Sequence, residues 1–141
     1  LHVLVKNRYE IQAVSAIDKL TNFYNQAIQT DRILLENRKD NLIVRVKLND
    51  LKDDIDCFRS HSGYFSEYHA SSLMELSKII NKKYQTLSYY GFTKEKLTNV
   101  IREIEPKGID RIVPIGRTME FSLVWDGYEL INTLSRRVEV I

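Results

Sequence analysis

The side chains best suited to chemistry lie near the end of the chain, where a short apolar stretch runs into a loop. Gly116 closes the apolar stretch, and Arg117, Trp125, Asp126 and Gly127 follow it. In α/β proteins, loops that follow strands commonly carry binding residues. Arg117 would pair with an anion such as phosphate, and Trp125 would form an apolar wall. These four residues are therefore predicted to line a substrate site.

The same residues also have a purely structural interpretation. Asp126 and Glu129 have the spacing of a capping box, so Asp126 would do no more than begin a helix. Trp125 would then pack against that helix, and Arg117 would be solvated. The sequence leaves both interpretations open.

Other reactive side chains give weaker signals. Cys57 is the only thiol, and the acidic residues just before it oppose the thiolate that a nucleophile requires, which favours an inert, partly buried cysteine. His2, His61 and His69 are scattered, so no metal site is predicted. The chain has no glycine-rich phosphate cradle, and cofactor-binding residues cannot be assigned.

Composition limits the classes of protein. A chain of 141 residues, 43% of them hydrophobic, suffices for one domain with a core, predicted over residues 1–141. A net charge of +2, from scattered basic residues, argues against nucleic-acid binding. The sequence contains no apolar run long enough to span a membrane, and its single cysteine fits a reducing, cytoplasmic setting. Because it begins at Leu1 without a signal-peptide pattern, a fragment of a longer protein is expected.

Hydrophobic periodicity predicts the elements that must position the loop. A helix is expected over residues 13–30 with an inward face of Ile17, Leu20, Tyr24, Ala27 and Ile28, and a half-buried strand over 42–48. From Ser62 to Gly116 the order is β-α-β-α-β, with Ser72 and Thr93 as helix caps. A loop, a helix and a strand then close the chain over 117–141. The predicted fold is α/β, a mainly parallel sheet with flanking helices.

Three segments together resemble a known family. These are Tyr84-Gln85-Thr86-Leu87-Ser88, Gly108-Ile109-Asp110-Arg111-Ile112-Val113, and the loop that reaches Asp126-Gly127 before a helix ending in Leu134-Ser135-Arg136. Their order and spacing resemble the C-terminal end of the bacterial long-chain acyl-CoA reductases, the LuxC family. The resemblance is clearest over residues 64–140. That family resembles the aldehyde dehydrogenase superfamily, so the fold implied is the later half of such a catalytic domain.

The resemblance implies an enzyme that uses NADPH to convert fatty acyl-CoA to fatty aldehyde through an acyl-cysteine intermediate. In the family, the nucleophilic cysteine precedes the Gln85-Thr86 segment by far more than Cys57 does, so the nucleophile would lie outside this chain. This chain alone would be inactive and would supply substrate-binding walls. Its partners would be acyl-CoA and the remainder of the reductase or an acyl-transferring enzyme, and an exposed sheet edge would permit a homodimer.

Two other functions remain open from the sequence. The chain could be a non-catalytic α/β interaction module whose closing strand, over residues 136–141, pairs with another chain. It could also be a small-anion or nucleotide-binding module that uses the Arg117 loop.

Overall fold

The computed structural model describes residues 2–36 and 40–141, and in these the chain is a mixed α/β protein with three small sheets. The chain divides into two compact units, Leu1–Ile79 and Ile80–Ile141. The sequence predicts a single domain over residues 1–141. A single domain would require the two units to pack together, and it stays a prediction. Within the described ranges, no helix is both long and apolar enough to cross a membrane.

The first unit is built around its central strand. Its elements are α1 (His2–Arg8), α2 (Ala13–Gln29), β1 (Leu34–Leu35), β2 (Val44–Leu48) and β3 (Tyr64–Tyr68), with short 3-10 helices at Ile55–Phe58 and Leu73–Lys78. Strand β2 pairs antiparallel with β1 and parallel with β3. Its alternating pattern is confirmed, because Val44, Val46 and Leu48 are buried and form the core with Tyr64.

Helix α2 has the predicted bounds but the opposite orientation. Ile17, Tyr24 and Ile28 are exposed, whereas Lys19 and Gln26 are fully buried, so the predicted inward face was wrong. The residues that lead into β2 and β3 explain this orientation of α2. Their backbone carbonyls need hydrogen-bond donors, and an apolar helix face would supply none.

Hydrogen bonds of Lys19 and Gln26 join α2 to the sheet and to the residues that lead into its strands. The Lys19 ammonium donates to the carbonyl oxygens of Leu42 (3.2 Å) and Ser62 (2.9 Å), and also to that of Asn41. The Tyr64 hydroxyl donates to Gln26 Oε1 at 2.6 Å, and burial raises the pKa of Tyr64 to about 12. These hydrogen bonds offset the cost of burying a cation and an amide.

The second unit contains only the later β-α-β part of the β-α-β-α-β order predicted from Ser62 to Gly116, because the first strand of that order, β3, pairs with β2 in the first unit. Strands β4 (Thr86–Tyr89) and β5 (Arg111–Pro114) are parallel and are joined through α3 (Lys94–Ile104). Thr93 caps α3 as predicted, its hydroxyl accepting from the Lys96 N–H at 3.3 Å. Strands β6 (Val124–Trp125) and β7 (Tyr128–Glu129) form a hairpin, and α4 (Leu130–Leu134) follows.

Two further predictions were wrong, one in each unit. The helix expected after Ser72 has the predicted capping box, but it is a 3-10 helix rather than an α-helix. The closing strand predicted over 136–141 is not formed, since residues 135–141 have neither helix nor strand structure. Its alternating Val138 and Val140 are both exposed, so no core face holds the segment in a sheet.

Replacing Lys19 with methionine is expected to lower the free energy of unfolding by about 2–4 kcal/mol, because three backbone carbonyls lose their donor. Urea unfolding followed by circular dichroism measures the change. Lys6→Met, at an exposed position of α1, is the matched control and should stay within about 0.5 kcal/mol of wild type. Equal stability of the two variants would contradict the role of the buried ammonium.

Glu75 is expected to make folding stability depend on acid. Hydrogen bonds from the Tyr68 hydroxyl, and then from Ser71 and Ser72, lower the pKa of Glu75 from 4.5 to about 2. Because the folded-state pKa lies below the unfolded one, this stability is present above pH 4.5 and is lost as the pH falls towards 2. Melting temperatures of Glu75→Gln should therefore fall less with acid than those of wild type. Glu103→Gln, at an exposed position of α3, should titrate like wild type.

Candidate functional site

The segment that leads into β5 and the candidate loop is held closely against the residues that precede β4. A Cβ at Gly108 would lie 2.2 Å from the Asn81 carbonyl oxygen, so only glycine fits there. Ile109 then adopts a φ of 60°, which is uncommon for a β-branched residue. Its N–H donates to the Tyr84 carbonyl at 2.6 Å. This arrangement sets the register of β5 and thereby the starting point of the loop.

The loop begins with a tight turn and an ion pair. The Arg117 N–H donates to the Pro114 carbonyl at 3.1 Å, with Gly116 at a φ of 92°. The Arg117 Nε lies 2.8 and 2.7 Å from the two carboxylate oxygens of Glu120. The hydrogen bond from Arg117 lowers the pKa of Glu120, and Glu120 in turn raises the pKa of Arg117. An anion at Arg117 would compete with this carboxylate for the guanidinium.

Arg111, at the start of β5, holds the loop and the tryptophan together. Its guanidinium donates to the carbonyl oxygens of Thr118 (3.2 Å) and Glu120 (2.7 Å). The same guanidinium lies 4.4 Å from the centre of the Trp125 ring, within cation–π distance. Phe121 stacks on Trp125 with ring centroids 5.4 Å apart. One cation therefore fixes both the backbone of the loop and the orientation of its aromatic pair.

Asp126 and Gly127 form a hairpin turn, so the prediction that Asp126 begins a helix was wrong. They are the two loop residues between the paired Trp125 and Tyr128, with φ values of 49° and 79°. Asp-Gly favours this two-residue turn, in which both central residues have positive φ. The turn also lies against Asp110, whose Oδ1 is 3.0 Å from a Cβ built on Gly127. The helix begins later, at Leu130.

The four predicted site residues, Arg117, Trp125, Asp126 and Gly127, lie in one region, but only Arg117 lines a groove there. A groove of about 480 Å³ lies along β5 and the loop, and Arg111, Arg117, Glu120, Phe121 and Val124 are among its lining residues. Trp125 stands beside the groove through its contacts with Arg111 and Phe121. Asp126 and Gly127 form the adjacent turn and are not among the groove's lining residues.

Arg111 and Phe121 were missed as site residues by the sequence reasoning. Arg111 belongs to a predicted strand, where a basic residue ordinarily faces solvent, and Phe121 lies in a loop without periodicity. No spacing in the sequence links Arg111 to Trp125, because their cation–π contact depends on the path of the loop between them.

Cys57 and the histidine and acidic side chains are the other candidates for chemistry. Cys57 is exposed, rather than partly buried as the sequence suggested. Among residues 2–36 and 40–141, no group of three or more histidine, cysteine or acidic side chains is arranged to hold a metal ion.

Comparison of the chain with protein-family models, with curated proteins and with solved structures finds no match.

Replacing Arg111 with methionine is expected to loosen the loop and expose Trp125, because two hydrogen bonds and the cation–π contact are lost. Trp125 is the only tryptophan, so its emission should shift to longer wavelength. The free energy of unfolding should fall by about 1–3 kcal/mol. Arg111→Lys should give an intermediate shift, because lysine keeps the charge but lacks the planar fork.

Arg102→Met, at an exposed position of α3, is the matched control and should leave the emission maximum unchanged. If Arg111→Met gave the wild-type spectrum, Trp125 would not depend on the guanidinium.

Proposed function

We propose that this chain is the C-terminal part of an NADPH-dependent acyl-CoA reductase, which converts fatty acyl-CoA to fatty aldehyde. The observation that carries the proposal is the aromatic pair Phe121–Trp125, fixed by Arg111 beside the groove along β5. The segments that resemble the LuxC family include Arg111 and the Asp126-Gly127 turn. The family resemblance and the local geometry therefore both favour the region around Arg111 and Trp125 as the substrate site.

The loop is suited to an aliphatic group. Met119, Phe121 and Leu123 are all exposed, and Val124 lines the groove. A fatty acyl chain that covered these side chains would remove apolar surface from water, at about 25 cal/mol for each Å² buried. The role assigned to Arg117, Trp125, Asp126 and Gly127 is therefore to shape and support an acyl-binding surface.

The two guanidinium groups of the groove are not preorganised for a nucleotide phosphate. Arg117 is paired with Glu120, and Arg111 donates to two backbone carbonyls, so both guanidinium groups already have acceptors. We therefore assign NADPH, and the hydride that it supplies, to the remainder of the reductase. The cysteine that carries the acyl group is assigned there as well, together with the groups that stabilise the developing oxyanion.

The proposal extends to the complete enzyme. As the resemblance implies, it would contain a mainly parallel sheet with flanking helices, and each unit of this chain contains one parallel strand pair, β2–β3 or β4–β5. The enzyme would act in the cytoplasm, and the remainder of the reductase or an acyl-transferring enzyme would be its partner.

Tryptophan fluorescence tests the acyl-binding surface directly, because Trp125 is the only tryptophan. Addition of tetradecanoyl-CoA, below its micelle concentration, should shift the emission to shorter wavelength as the acyl chain excludes water from the ring. Free CoA should give no shift, since it has no acyl chain. Phe121→Ala should weaken the response, whereas Phe65→Ala, an exposed phenylalanine of β3, should retain it.

An equal response to CoA and to tetradecanoyl-CoA would instead favour an anion site at Arg117. In a separate assay, the chain mixed with tetradecanoyl-CoA and NADPH should not oxidise NADPH. Oxidation above the rate without protein would contradict the assignment of the nucleophile to another part of the enzyme.

A further inference from the structure

A cavity of about 390 Å³ lies in the first unit, between α1 and the residues that lead into β2 and β3. Its lining is mostly apolar, with Val5, Ile11, Leu42 and Ile43 among the partly buried side chains. Ligand pockets in proteins range from roughly 300 to 1,000 Å³ and combine such a lining with a few polar groups. The cavity therefore has the size and character of a site for a small organic molecule.

Hydrogen bonds fix two sides of the cavity. On one side, the buried Lys19 ammonium donates to the carbonyl oxygens of Leu42 and Ser62, at 3.2 and 2.9 Å. On the other side, His2 at the start of α1 lies 2.6 Å from Asp40, measured from Nε2 to Oδ2. Asp40 Oδ1 accepts from the Leu42 N–H at 2.9 Å, so α1 is joined to the same backbone that Lys19 holds. A cavity whose sides are fixed in this way lowers the ordering cost of binding a ligand.

One carboxylate gives the cavity its charge. Glu10 is the only charged side chain among the described lining residues, and it is exposed. Within the described part of the chain, its carboxylate has no hydrogen bond or ion pair. The Lys19 ammonium does not line the cavity and is satisfied by backbone carbonyls. A carboxylate without a partner favours a ligand that carries a positive charge.

Two aromatic rings favour the same kind of ligand. Tyr9 and Phe65 both line the cavity and are 66% and 46% exposed. The face of an aromatic ring attracts a cation, and aromatic side chains are a common means of recognising ammonium groups. The other polar side chains of the described lining, Gln12, Ser15 and Ser62, are uncharged. They would orient the polar end of a ligand by hydrogen bonds without changing the preference for a cation.

The N-terminus of α2 has the opposite preference. The N–H groups at the start of a helix favour an anion. In α2 these include the groups of Ala13 and Val14, and neither residue is among those that line the cavity. Glu10 is a lining residue, so we expect its full negative charge to outweigh the partial positive charge of the helix end.

We propose that this cavity binds a small hydrophobic amine, with its protonated nitrogen at Glu10 and its apolar part against Val5, Ile43 and Phe65. This inference does not depend on the proposed enzymatic function, whose candidate site lies in the second unit. A fatty acid should bind poorly here, because its carboxylate would meet the carboxylate of Glu10.

Three molecules that share a phenylbutyl group test the charge preference. At neutral pH, phenylbutylamine is a cation, phenylbutanol is neutral and phenylbutyrate is an anion. Titrations followed by the amide NMR signals of the chain give the affinity for each molecule and the residues that respond. The amine should bind about three- to tenfold more tightly than the alcohol, and phenylbutyrate more weakly than either. The signals that move should be those of lining residues such as Ile11, Ile43 and Gly63.

Two pairs of variants test the assignment of the site. Glu10→Gln should lower the affinity for the amine to that for the alcohol, whereas Glu103→Gln, at an exposed position of α3, should bind like wild type. Ser15→Leu should abolish binding of all three molecules by filling the cavity, whereas Thr21→Leu, at an exposed position of the same helix, should not.

Four outcomes would overturn the proposal. These are the absence of binding to the wild-type chain, equal affinities for the amine and the alcohol, a preference for the amine that survives Glu10→Gln, and binding that survives Ser15→Leu.

Discussion

The ammonium group of Lys19 is the interaction on which the first unit depends. It donates to the carbonyls of Asn41, Leu42 and Ser62, which immediately precede β2 and β3. These groups lie where strand pairing begins, and a buried carbonyl without a donor would destabilise the fold. Because only the polar side of α2 can satisfy them, the orientation of the whole helix follows from this one contact.

Arg111 has a comparable role in the second unit. Its guanidinium satisfies two carbonyls of a loop that has little regular structure, and its face contacts Trp125. In both units a cation thus organises backbone that helices and strands leave unpaired. The two cations differ in solvent exposure, because Lys19 is fully buried whereas Arg111 is only partly buried. The candidate loop can therefore be rearranged more easily than the contact between α2 and its sheet.

Sequence periodicity predicted where helices and strands occur better than it predicted which of their side chains are buried. The bounds of α2, the strand β2 and the Thr93 cap follow from local preferences, and the structure confirms them. The buried side of α2 could not be predicted, because it depends on carbonyls that lie more than twenty residues away in sequence. In the candidate site, Asp126-Gly127 carried a hairpin signal that competed with a capping-box spacing, and the turn geometry prevailed.

Sequence separation also differs between the two units, and this bears on how they fold. In the second, Arg111 contacts Thr118 and Glu120, seven and nine residues away, and the paired Thr86 lies 25 residues before it. In the first, Lys19 reaches Ser62 across 43 residues and Gln26 reaches Tyr64 across 38. Closing longer loops costs more chain entropy and slows folding. The loop around Trp125 is thus expected to form early, whereas α2 docks only after both strands beneath it are in place.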